Sequence, residues 1–215
     1  MALSKADFNN INVTPAASKK LKWNASANGF ETGDLGGSMV LISTQTASSS
    51  ANISFTSGID DTYKEYVFKF IDIHPANDTV NFQINASVDG GSNYNVNKTT
   101  TYFLAYHTED NSATALSYYT NRDLASSTAA QQIVTIGNAN DDSASGTLTL
   151  YNPSSSVFVK HFMSRQQAPT GEDTENCKDT YVAGYFNTTS AINAVQFTMS
   201  SGNIDSGVIK MYGIT

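Results

Sequence analysis

The sequence predicts an all-β protein, a jelly-roll-like antiparallel β-sandwich over residues 31–215 preceded by an irregular N-terminal arm over residues 1–30. Three observations carry this. Apolar and polar residues alternate through Thr79–Val88, where Val80, Phe82, Ile84, Ala86 and Val88 interleave with Asn81, Gln83, Asn85 and Ser87, the pattern of a strand with one buried face. About a dozen short strand-like stretches recur at intervals of 8–15 residues with polar turns between them, as in sandwiches and jelly rolls. No stretch repeats its apolar residues with the 3.6-residue period of a helix.

Taken in order, the first 30 residues mix Phe8, Ile11, Val13 and Trp23 with polar residues and suit an arm that docks on a neighbour. Candidate strands follow at Lys20–Asn24, Ser38–Thr44 and Ala51–Thr56. Tyr63–Ile73 sets Tyr66, Phe68 and Phe70 on one side and Val67, Ile71 and Ile73 largely on the other, as expected of a central strand. The turn residues His74–Asp78 join it to the Thr79–Val88 strand, so the pair reads as a hairpin. Asp89-Gly-Gly supplies the positive-φ positions of the next reversal. Further strands are expected at Thr101–Tyr106, Gln132–Ile136, Gly146–Tyr151, Val157–Met163, Thr180–Asn187, Asn193–Ser200 and Gly207–Tyr212. Residues 107–130 read as a long contact loop with one helical turn near Leu124.

Composition narrows the function. Ser, Thr and Asn make up 71 of 215 residues, while charged residues are 14%, against about 25% in an average soluble domain. Neutral polar groups therefore carry the solvation. A net charge of −7 without a basic cluster gives no footprint for nucleic acid. The longest apolar run, Met39–Ile42, is strand-sized, far from the roughly 20 residues of a spanning helix, so no membrane insertion is expected. The start of the chain lacks the apolar stretch of a secretory signal. Synthesis in a reducing cytoplasm is the expectation, consistent with a single cysteine, Cys177, and the protein then either stays where it is made or leaves by lysis.

The candidate chemistry is sparse. His74, His107 and His161 share no metal-ligand spacing, and no nucleophile motif is present, so no catalytic or metal residues are assigned. Asp60-Asp61, Asp72, Asp78, Asp89, Glu109-Asp110 and Asp141-Asp142 could supply a glycosidase pair, but turn-capping is the weightier reading for Asp in such positions. The oxygen-rich runs Asn138–Ser143 and Glu172–Glu175 are weak calcium candidates that lack the spacing of a calcium loop; no other cofactor is implied. Tyr94, Tyr118 and Tyr119 with Asn138 and Asn140 are candidate glycan or partner contacts, because a ring stacks on a sugar face while amides bond its hydroxyls.

Four segments resemble proteins encoded by marine tailed bacteriophages: Tyr63–His74, Ser87–Tyr94, Val182–Ser190 and the ending Ser201–Ile214. The closing Gly207-Val-Ile-Lys-Met-Tyr-Gly-Ile214 also recurs in phage tail and fibre β-domains. The resemblance implies a structural protein of the virion, on tail fibre, tip or capsid surface. Its expected partners are other virion proteins and copies of itself, a trimer among the assemblies, with host surface glycan as an alternative ligand.

Overall fold

A computed structural model describes residues 19–26, 28–34, 38–169 and 176–215 of the chain. They fall into two compact units that meet in sequence after Ser38.

In the first unit β1 (Lys19–Trp23) pairs antiparallel with β2 (Phe30–Asp34). The turn is closed by Asn24 N–H donating to Gly29 O at 2.9 Å, and the Trp23 and Phe30 rings stack 4.4 Å apart at its base. The β1–β2 pair is therefore a hairpin where an irregular arm was expected, and the expected boundary at residue 30 falls on a strand. The Trp23–Phe30 cross-strand stack supplies the apolar contact that the sequence, with its scattered large residues, did not reveal. Phe8, Ile11 and Val13 lie outside the described residues.

The second unit contains β3 (Met39–Ser50), β4 (Ile53–Phe55), β5 (Glu65–Pro75), β6 (Val80–Ser87), β7 (Lys98–Thr108), β8 (Thr114–Tyr118), β9 (Gln131–Ile136), β10 (Ala144–Tyr151), β11 (Lys160–Pro169), β12 (Asn176–Phe186), β13 (Ala194–Met199) and β14 (Ile204–Ile214). A large sheet has the order β3-β14-β5-β10-β11-β12-β7-β8 and a small one the order β4-β13-β6-β9. The quartets β3-β14-β5-β10 and β4-β13-β6-β9 are the two sheets of a jelly roll. Consecutive strands β3/β4, β5/β6, β9/β10 and β13/β14 each divide between them. Two insertions enlarge this frame. The β7–β8 pair enters between β6 and β9, β11–β12 enters between β10 and β13, and the four strands extend one sheet past β10.

The β5–β6 connection is thus a corner between sheets, not a hairpin. Each strand has an apolar face to bury against the opposite sheet. Phe70 on β5 meets Phe82 on β6 edge to face, with ring centroids 5.3 Å apart. Near the corner, Asp72 adopts φ 50° and the ladders to β10 and β14 shift register there, the signature of a bulge. The bulge exposes Ile71 and turns Ile73 fully inward, although alternation from Val67 would place both on the outer side.

Phe197 on β13 is the hub of the core. Its ring lies 5.0–6.3 Å from those of Phe55, Phe68, Phe70 and Phe82, drawing both sheets together. Burying each such ring contributes about 2–3 kcal/mol.

The segment from Tyr119 to Gln131 covers the inner face of β7, while β9 of the small sheet approaches β11 and β12. Arg122 donates to the Tyr102 hydroxyl at 3.0 Å, Leu124 N–H to Thr100 Oγ1 at 2.9 Å, and Lys98 Nζ to Ala129 O at 2.6 Å. The expected contact loop at 107–130 is therefore β8, one 3-10 turn at Thr120–Arg122 and a structural cover. Two lysines are fully buried beside Phe186, in register as Lys160, Phe186, Lys98. Backbone oxygens satisfy both ammonium groups: Lys160 Nζ reaches those of Ser155, Phe158 and Thr188 at 2.5–3.1 Å.

Candidate functional site

Strand alternation on β7, β10, β11 and β12 decides which side chains face solvent on the outer side of the large sheet. On β11 it is strict: Lys160, Phe162, Ser164, Gln166 and Ala168 are buried, and His161, Met163, Arg165 and Gln167 are exposed. Register then aligns the outward residues of neighbouring strands in cross-strand rows. Phe103, Tyr181, Arg165 and Thr147 form one row, and Thr101, Ala183, Met163 and Thr149 the next. Thr99, Tyr185 and His161 form a third, with Tyr151 beside it.

The middle row is mostly small, and its neighbours are tall, so the surface between them is a trough across four strands. It comprises two adjoining depressions of about 350 and 380 Å³ that share Met163 and Ala183. Same-face residues are about 7 Å apart along a strand, so the outer rows stand about 14 Å apart at the backbone.

One wall is fixed by its own contacts. The Phe103 and Tyr181 rings stack at 4.8 Å and 3°, and the Arg165 guanidinium lies 5.1 Å from the Tyr181 centroid on strand β11. Arg165 also forks onto Asp179, with Nε to Oδ1 at 3.0 Å and Nη2 to Oδ2 at 2.7 Å, while the Tyr181 hydroxyl donates to the same Oδ2 at 3.0 Å. The hydrogen bonds from Arg165 hold the Asp179 carboxyl below its usual range. Desolvation, followed by the bond to Asp179, raises the Tyr181 hydroxyl. The other wall is looser, with His161 and Tyr185 at 6.4 Å. The trough thus combines aromatic walls, a thioether floor and threonine hydroxyls, with its carboxylate committed to an arginine.

The sequence-predicted contacts do not converge. Tyr118 ends β8 directly opposite Phe103, exposed, with its hydroxyl donating to Asp123; it alone adjoins the trough. Tyr119 packs edge-on to buried Tyr102 with Arg122 4.8 Å from its ring. Tyr94 is half-buried, its hydroxyl enclosed beside Gly91. Asn138 and Asn140 lie on the β9–β10 turn, where Asn138 donates to Ala76 O at 3.2 Å. That turn is near the start of β6, whereas Tyr94 follows its end.

The carboxylates cap turns. Asp60 accepts from Thr62 N–H at 2.9 Å, Asp89 from Asn93 N–H at 2.9 Å, Asp110 from Ser112 N–H at 2.9 Å and Asp78 from Asn138 N–H at 3.2 Å. Among the described residues no group of three or more His, Cys, Asp or Glu could hold a metal ion; Glu172–Glu175 lie outside them. His74 contacts Ala139 O, His107 contacts Asn111, and His161 faces the trough, so the three do not meet.

The contacts expected from the sequence omit Phe103, Met163, Arg165 and Tyr185, and His161 enters there only as a metal or catalytic candidate. The signal that could have found them is that β11 and β12 carry large side chains on both faces, with Phe162, Val182 and Phe186 inward and Met163, Tyr181 and Tyr185 outward.

Fold and face together define a jelly-roll β-sandwich carrying an elaborated sheet with an open aromatic trough. Comparison of the chain with protein-family models, with curated proteins and with solved structures finds no match in any of the three.

Proposed function

We propose that the chain is a non-enzymatic structural module of a tailed-bacteriophage particle, carried on the tail or the capsid surface and assembling as an oligomer. The observation that carries assembly is the edge strand β3. It runs for twelve residues, Met39–Ser50, without a charged residue or a proline, and pairs with β14 alone among the described strands. Its Met39, Val40 and Leu41 side chains are exposed.

Sheet edges in monomers are commonly short, charged, proline-bearing or covered, because a bare edge templates pairing with another strand. A long uncharged edge with apolar side chains fits a seam between copies of the same chain. The phage setting draws its support from the resemblance, whose segments include most of β5 and the whole of β14. These are the two strands at the middle of the jelly-roll quartet.

Sedimentation velocity of the full chain at tens of micromolar tests the seam. The expected result is an oligomer that Leu41→Lys converts to a monomer with unchanged strand content by circular dichroism. A monomeric parent protein, or an oligomer indifferent to Leu41→Lys, overturns it.

A further inference from the structure

The outer trough is distinct from the β3 edge and calls for a different occupant. Three features define its chemistry. Its walls and floor present ring and thioether surface from Phe103, Tyr181, His161 and Met163. The hydroxyls of Thr99, Thr101, Thr147 and Thr149 lie along it. The wall that holds Arg165 continues in register through Thr147 to Lys69 and Lys210.

That continuation is unexpected in a chain of net charge −7. Lys69 and Lys210 are directly opposite each other on β5 and β14, and like charges so placed disfavour the pairing. Among the described residues neither has a carboxylate within ion-pair distance. Lys69 instead lies over the Tyr212 ring at 5.7 Å. From Phe103 to Lys210 the row crosses six adjacent strands, about 24 Å at the usual strand spacing.

We propose that this face binds an extended acidic polysaccharide laid across the strands, its sugar rings against Met163 and the Phe103–Tyr181 wall and its acidic groups over Lys69 and Lys210. Sugar rings have both apolar faces and hydroxyls, which match alternating rings and threonines; an acidic chain also relieves the lysine pair. A face of paired strands offers a peptide no free backbone ladder to extend, and the Arg165–Asp179 fork resists burial against a purely apolar partner. The inference is independent of the β3 seam, since no residue of β3 lines the trough.

Isothermal titration of the full chain with an oligo-uronate hexamer and with a neutral glucan hexamer tests it. The expected result is saturable binding of the uronate, weaker by about tenfold in Tyr181→Ala, and binding by Lys69→Gln/Lys210→Gln that no longer weakens with added salt. Met163→Gln, an exposed substitution, provides a second weakened variant should Tyr181→Ala fail to fold. No uronate binding, equal binding of the neutral hexamer, or uronate binding indifferent to these folded variants overturns the proposal. So does sedimentation showing that Met163→Gln, with Leu41 intact, disrupts the oligomer, because the face would then be a protein interface.

Discussion

Phe103 and Tyr181 stand directly opposite each other on β7 and β12, and their rings stack 4.8 Å apart and 3° from parallel. The pair joins the strands of two separate insertions on the solvent face, with Arg165 closing the stack from β11. Cross-strand aromatic pairs contribute about 0.5–1.5 kcal/mol beyond the area they bury. A double-mutant cycle with Phe103→Ala and Tyr181→Ala, read by urea unfolding, is expected to give a coupling energy in that range. Strict additivity would mean that the stack contributes nothing to holding the insertions together.

Lys98 gives a pH dependence with a definite sign. Burial pushes its ammonium down from 10.5 to about 8, so between those values the unfolded chain holds a proton that the folded chain has released. Stability therefore rises with pH across that window and is insensitive to Lys98 below it, where both states are protonated. Above about pH 10 the trend reverses as Tyr66, whose hydroxyl is raised by burial, ionises only on unfolding. Chemical denaturation from pH 7 to 10 should show the rise, and Lys98→Met should diminish it. An equal rise in the variant would assign the effect elsewhere.

The inward faces show where the sequence was legible. Alternation located β6 and β9 because their inner residues, from Phe82 to Ile136, pack against an opposite sheet and must be apolar. On the inserted strands the inner face is mixed. Thr100, Ser164, Gln166 and Thr180 are buried there beside Tyr102, Phe162, Val182 and Phe186, while Met163 and Phe103 face solvent. A reading that sends polar groups outward therefore missed the trough and sought contacts in loops. β2 and β8 also escaped it: Phe30-Glu-Thr-Gly-Asp is too polar, and Thr114–Tyr118 has no buried residue.

Phe197→Ala removes the ring that four other phenylalanines contact across the two sheets. The expected loss is about 3–5 kcal/mol, seen as a lower urea midpoint with little change in slope. A loss under about 1 kcal/mol would show that the sheets do not pack through this residue.

The proposed place of the chain in a phage particle is tested by mass spectrometry of gradient-purified particles released when the host lyses. This protein is expected to band with intact particles in constant ratio to the major structural proteins; its recovery only in the soluble lysate would overturn the proposal.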